Sequence, residues 1–127
     1  MDARLILGRI QRAVRGEGFI LLLITGAAAL LRFVAIDRMP PGLYHDEAYN
    51  GLDALRVLQG HIPIFFVANN GREPLFIYAL SASIGVWGRS PGALRIVSAC
   101  IGTLTIPAIY WLGRELFGRV EGTLAAI

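Results

Sequence analysis

"FILLLITGAAALLRFVAI", residues 19–36, is the stretch that decides the fold class of this chain. A helix of this length would extend about 27 Å at ~1.5 Å per residue, close to the ~30 Å apolar thickness of a bilayer. A secretory signal is the alternative, because basic residues precede the run. The run is longer than the apolar part of a typical signal, and "DRMPPG" follows it instead of a small-residue cleavage site. We therefore expect an uncleaved transmembrane helix.

The composition of the 127 residues agrees with a membrane protein. Hydrophobic residues make up 55% of the chain and charged residues only 17%, against about 25% charged residues in soluble domains. The net charge of +3 comes from 12 basic residues, all of them arginine. These arginines flank the apolar runs and form no basic stripe with interleaved aromatic residues, so we expect no nucleic acid partner.

Further apolar runs predict a multi-pass, all-α integral membrane protein. We expect spans at about 19–36, 74–88 and 93–112, and the start of a fourth at about residue 122. Because a new apolar run begins there, we expect residues 1–127 to be the N-terminal part of a longer transmembrane domain. The leader, residues 1–18, fits either an amphipathic helix on the membrane surface or a plain basic leader.

The distribution of arginine predicts the orientation of these spans. The leader has four arginines, and the turn at residues 89–95 has two arginines and no acid, so both are expected in the cytoplasm. The connection at residues 37–72 is then external. In this topology Arg114 and Arg119 lie on the outer side, where two glutamates balance them.

The external connection contains a predicted surface helix at residues 47–59. Ala48, Leu52, Leu55 and Leu58 recur at helical spacing and give one apolar face, turned to the membrane or to protein. Asp46 is placed to cap its start, and Gly60 ends it.

Acidic residues stand at the start of this helix. A carboxylate of Asp46 or Glu47 at the membrane surface can act as a general base on an acceptor, or bind a metal ion. His45 and His61 are further candidate ligands of a divalent metal. The alternative is structural, because Asp and Glu are favoured at a helix start by capping and by the helix dipole.

A second polar cluster precedes the next apolar run. Arg72 and Glu73 directly precede that run. An arginine there can bind a phosphate or can anchor the helix at the membrane interface. With Tyr49 and Asn50, these residues form the candidate substrate-binding set.

In order along the chain, "PPGLYHDEAYNGLDAL", "GREPLFIY" and "SPGALRIVSACIGTLTIPAIYWLGRELFG" together resemble the C-type membrane glycosyltransferases. The likeness is to family 39, which includes protein O-mannosyltransferases and bacterial aminoarabinose transferases, and it covers nearly the whole chain. Many relatives have Lys or His before Pro-Pro-Leu at the start of the second span. This chain has Arg72-Glu73-Pro74 instead.

The resemblance implies an enzyme that moves a hexose or pentose from a polyprenyl-phosphate donor to a lipid, glycan or protein acceptor at the outer membrane face. It implies catalysis by Asp46 and Glu47, a phosphate contact by Arg72, and in some members a divalent metal. It also implies a bacterial or archaeal plasma membrane, and a segment inactive without the rest of the enzyme. The rival hypothesis is a non-enzymatic transporter or scaffold segment whose acidic loop only caps a helix.

Overall fold

The computed structural model describes residues 3–68 and 70–127, with residues 3–15 described in their backbone alone. The described residues form five helices: α1 (Ala3–Phe33), α2 (His45–Leu58), α3 (Pro74–Trp87), α4 (Pro91–Phe117) and α5 (Arg119–Ala125). They contain no strand, although an isolated antiparallel bridge joins Phe66 and Arg72. The predicted all-helical class is confirmed.

Among the described residues, two helices are long and apolar enough to cross a membrane. They are α1, through its segment Gly16–Phe33, and the 27-residue α4. Helix α3 is also apolar but has 14 residues, so it extends only about 21 Å. The predicted span at residues 74–88 therefore corresponds to a helix too short to cross a bilayer alone.

The ends of the long helices differ from the predicted spans. Helix α1 ends at Phe33 rather than at residue 36, because the chain turns at Ala35, whose φ is 56°. It begins at Ala3, so the leader and the first span form one continuous helix. The side chains that would distinguish a surface helix from a plain leader lie mostly outside the described residues.

Helix α4 replaces both the third predicted span and most of the polar link after it. The link predicted at residues 113–122 is helical on both sides of Gly118, whose φ of 117° ends α4. Helix α5 consequently starts at Arg119 rather than near residue 122. The glycine, rather than the polar composition of the link, sets this break.

The chain divides into two compact units, one of which is Phe33–Cys100. Helix α2 packs on α3, and the first turns of α4 complete its core. The hydroxyl of Ser83 donates a hydrogen bond to the carbonyl of Ala93, and Tyr78 donates one to the carbonyl of Pro63 at 2.8 Å. The buried apolar residues are Ala54, Phe66, Ile77, Leu80, Ile84, Ala93 and Leu94.

Helix α2 confirms that this segment is helical but corrects the predicted start. The helix begins at His45 with Tyr44 as its N-cap, so Asp46 lies inside the first turn and is not the cap. Its buried residues are Gly51, Asp53 and Ala54. The predicted leucine face is divided: Leu55 packs against this core, whereas Leu52 and Leu58 are about half exposed.

Contacts within this unit also contradict part of the predicted topology. The backbone N–H of Gly92 donates a hydrogen bond to Asp37 at 2.8 Å, and Arg95 donates to the carbonyls of Ile36 and Pro40. Residues in direct contact cannot lie on opposite faces of an apolar layer ~30 Å thick. These contacts do not fit the prediction of an external 37–72 connection together with a cytoplasmic 89–95 turn.

Because Asp37 and Gly92 are in contact, the chain between them must cross a membrane an even number of times or not at all. Helix α2 carries Asp46, Glu47, Asp53 and Arg56 within 14 residues, which excludes it as a span. A single crossing by α3 does not fit these contacts either. The prediction counted the apolar run of α3 as a crossing, whereas its residues Ile77, Leu80 and Ile84 are buried in the core that α3 forms with α2.

The other unit comprises the chain through Arg32 together with Ile101–Ile127. Glu17 accepts a hydrogen bond from Tyr110 at 3.2 Å and pairs with Arg119 at 2.9 Å, which joins α1 to both α4 and α5. Helices α4 and α5 approach closely at two glycines. A Cβ built at Gly122 would lie 2.7 Å from the carbonyl oxygen of Tyr110 and 2.7 Å from the nitrogen of Arg114.

We expect Gly122→Ala to weaken the packing of α5 on α4. The added methyl group would meet backbone atoms that cannot rotate away, and such overpacking costs about 1–3 kcal/mol. The measurement is the thermal unfolding of the detergent-solubilised protein. Gly26→Ala is the matched control, because a Cβ at Gly26 meets nothing within 4 Å. Equal unfolding temperatures for the two variants would contradict this packing.

Candidate functional site

The side chain of Glu47 takes part in the hydrogen bonding that closes the first turn of α2. Tyr44 has an extended conformation, and its N–H donates a hydrogen bond to Oε2 of Glu47 at 3.1 Å. This contact closes the turn and places His45, Asp46 and Glu47 at its first three positions. Negative charge is stabilised there by the partial positive charge of the helix N-terminus.

Glu47 is held by a bidentate ion pair with Arg95 of α4. Nε of Arg95 lies 3.0 Å from Oε1, and Nη2 lies 3.0 Å from Oε2. The hydrogen bond from Arg95 lowers the pKa of the Glu47 carboxyl below its ordinary 4.5, while burial acts in the opposite direction and the Tyr44 N–H lowers it further. Glu47 is therefore ionised at neutral pH, with both oxygens already accepting hydrogen bonds.

Arg95 also binds the backbone that leads to this turn. Besides Glu47, it donates to the carbonyls of Ile36 at 3.2 Å, Pro40 at 2.9 Å, and Gly42. Arg95 is only 8% exposed. One buried guanidinium thus fixes an irregular connection and the helix start that follows it.

Asp46 has a different environment from its neighbour. Its side chain is 64% exposed, and its Oδ1 lies 3.8 Å from Nδ1 of His45. The rings of His45 and Tyr49 meet edge to face, with centroids 4.7 Å apart. The structure therefore brings together three of the candidate residues, with the Asp46 carboxylate open to solvent.

The candidate metal ligands do not assemble into a cluster. Within the described part of the chain, no group of three or more His, Cys, Asp or Glu side chains could hold an ion. His45 and Asp46 are adjacent, but His61 does not join them in such a group. The metal site predicted from these three residues is not formed.

Arg72 is bound to an acid of α2 that the sequence did not indicate as important. Its Nη2 donates to Oδ2 of Asp53 at 2.7 Å, and Arg56 donates to Oδ1 at 3.1 Å. Asp53 is buried. The backbone of Arg72 pairs with Phe66, so this arginine attaches the extended segment before α3 to α2.

The remaining candidates are separated from one another. Glu73 is the exposed N-cap of α3. Asn50 is half-buried and points its Oδ1 into the interior. The six predicted site residues therefore do not form one cluster: Asp46 and Tyr49 lie on the open side of the first turns of α2, and Glu47 is turned toward Arg95.

Sequence reasoning missed Arg95, Asp37 and Asp53. Arg95 was assigned to a charged turn that only marks orientation. Its position inside the apolar run "ALRIVSAC" is a signal that could have identified it, because an arginine in such a run usually has a specific partner.

No protein-family model, curated protein or solved structure matches this chain.

We expect Arg95→Met to destabilise the unit Phe33–Cys100. Glu47 would lose its partner, and three carbonyls would lose a donor. Breaking such a pair costs about 3 kcal/mol, at the low end of the range for buried pairs because Glu47 is partly exposed. Denaturant unfolding of the purified protein measures the loss.

Arg89→Met is the matched control, since Arg89 is exposed near the start of the same helix and its loss should change stability little. Equal stabilities of the Arg95 and Arg89 variants would show that the ion pair does not hold the connection.

Proposed function

We propose that this chain is part of a multi-pass membrane glycosyltransferase that moves a sugar from a polyprenyl-phosphate donor to an acceptor. The observation that carries the proposal is the exposed carboxylate of Asp46 beside an anchored Glu47. A general base must reach its acceptor while its own position is fixed. The bidentate pair of Glu47 with Arg95 fixes the helical turn that carries Asp46, and the exposed Asp46 carboxylate can be reached by the acceptor.

The two acids have different roles in this proposal. Asp46 accepts the proton from the acceptor hydroxyl or amine as that group attacks the sugar. Glu47 is a positioning residue, since both of its oxygens are occupied by Arg95 and the Tyr44 N–H. A carboxylate with two strong donors is a weak base, which favours Asp46 as the group that touches the acceptor.

The leaving phosphate requires stabilisation by positive charge rather than covalent help. Arg72 remains the candidate among the predicted residues. It is bound to Asp53 through Nη2, but its Nε and Nη1 have no acceptor among the described residues.

The charge distribution supports an outer placement of residues 34–90. The pairs of Glu17 with Arg114 and Arg119 place the end of α4 beside the start of the apolar segment of α1. With two spans instead of three, all four leader arginines and both of these arginines fall on one side. The positive-inside rule favours the cytoplasm for that side, while Arg89 and Arg95 then belong to the outer side.

The non-enzymatic alternative explains the two acids in different ways. The contact of Glu47 with the Tyr44 N–H is a capping interaction. Asp46 is not the N-cap, and in that hypothesis its charge is favoured by the helix dipole alone.

We expect Asp46→Asn in the full-length protein to reduce sugar transfer by about 10²–10⁴-fold, the usual loss when a positioned acid or base is removed. Asparagine keeps the size of the side chain and cannot accept the proton. The measurement is transfer from a polyprenyl-phosphate sugar in membranes, normalised to folded protein.

Glu115→Gln is the control, because Glu115 is an exposed acid far along α4. Full transfer by the Asp46 variant would remove the main argument for an enzyme and favour the structural alternative.

We expect cysteines placed at residues 38 and 89 to react with an impermeant reagent from the same, outer side. The contact of Asp37 with Gly92 requires it. The variants Arg38→Cys and Arg89→Cys are made after Cys100→Ala, and labelling is measured in intact cells. Glu115→Cys should react only after the membrane is opened. Labelling of residues 38 and 89 from opposite sides would contradict the two-span arrangement.

A further inference from the structure

A small cavity lies behind the first turns of α2, on the side away from the exposed face of Asp46. Its volume is about 30 Å³, and its polar lining comes from Glu47 and Asn50 of α2 and Ser98 of α4. Phe76, Leu80 and Leu94 form its apolar walls. Pockets for sugars and similar ligands measure about 300–1,000 Å³. This cavity is too small for such a group and large enough for water.

The lining requires a hydrogen-bond donor. Oδ1 of Asn50 is buried and accepts no hydrogen bond from the described residues. Glu47 is ionised and can only accept. The hydroxyl of Ser98 can turn to donate or accept. A buried carbonyl without a donor is costly, so the occupant of the cavity must be able to donate at least one hydrogen bond.

A cation is a poorer occupant than a neutral donor. The charge of Glu47 is already balanced by the bidentate Arg95, so a cation would face a guanidinium across the carboxylate. The described residues also offer no group of three acidic, His or Cys side chains around it. Water meets the requirement, because it donates two hydrogen bonds, accepts two, and is neutral.

We propose that this cavity holds an ordered water molecule that joins Asn50, Glu47 and Ser98. The water donates one hydrogen bond to Oδ1 of Asn50 and one to the carboxylate of Glu47. It accepts one from the Ser98 hydroxyl. Ser98 is exposed, so the water lies at the edge of the interior. Three hydrogen bonds to polar partners hold it, and the buried Oδ1 of Asn50 is then satisfied.

The water gives Asn50 a role other than the substrate contact expected from the sequence. Asn50 becomes a positioning residue that contacts Glu47 through the water, while Arg95 binds Glu47 directly. This part of the inference rests on the proposed function, whereas the water itself does not.

The first test is a density map of the full-length protein in lipid nanodiscs, at a resolution that shows ordered water. We expect a peak within hydrogen-bond distance of Asn50, Glu47 and Ser98. A well-ordered cavity without that peak would overturn the inference, and no variant has to fold for this decision.

The second test is a double-mutant cycle with Asn50→Leu and Ser98→Ala, measured as the equilibrium constant of unfolding. Removing either partner releases the same water, so the combined effect should differ from the product of the single effects by about threefold or more. Asn50→Leu with Thr123→Ala is the control pair, because Thr123 lies on α5. If the combined effect equals the product of the single effects for both pairs, no water joins Asn50 and Ser98.

The positioning role has its own readout in sugar transfer. We expect Asn50→Leu to lower kcat and leave the KM for the donor unchanged, because the variant disturbs Glu47 without touching substrate. A raised KM at unchanged kcat would instead place Asn50 against the substrate and overturn the positioning role. A protein that transfers no sugar would refute the proposed function, and the density map would still decide the water.

Discussion

The arrangement of the unit Phe33–Cys100 depends on the burial of one guanidinium. Arg95 is almost fully enclosed, and removing an arginine from water is costly unless its donors are matched. The matching acceptors are the two oxygens of Glu47 and the carbonyls of Ile36, Pro40 and Gly42. Any movement of the 36–44 connection would leave donors of the buried Arg95 unpaired, so the connection is fixed although it has no regular secondary structure.

A second ion pair restrains the same helix from another direction. Asp53, in the middle of α2, binds Arg72 of the segment before α3. Helix α2 is therefore attached at its first turn to α4 and at its middle to the chain that precedes α3. Two attachments about two turns apart prevent rotation of the helix about its axis. These contacts of Glu47 and Asp53 fix the side of α2 on which Asp46 lies.

Local features of the chain were predictable from the sequence, and contacts between distant segments were not. Pro74 at the first position of α3 and Gly60 after α2 mark helix ends by their backbone preferences, and both were expected. The length and apolar character of α1 were also visible. The number of crossings was not, because an apolar run of 14 residues can span within a bundle or pack against another helix. The contact of Asp37 with Gly92 decides between these, and it joins residues 55 positions apart.

The different surroundings of Asp46 and Glu47 were also predictable only in part. Adjacent residues on a helix differ by about 100° in direction, so Asp46 and Glu47 had to face different surroundings. That one of them would be buried against an arginine 48 positions away could not be read from the motif. The separation also resolves a conflict of requirements. A residue that anchors a loop must have its hydrogen-bonding capacity filled, whereas the proton acceptor of the proposed enzyme must be accessible. Glu47 meets the first requirement through Arg95 and the Tyr44 N–H, and the 64% exposed side chain of Asp46 meets the second.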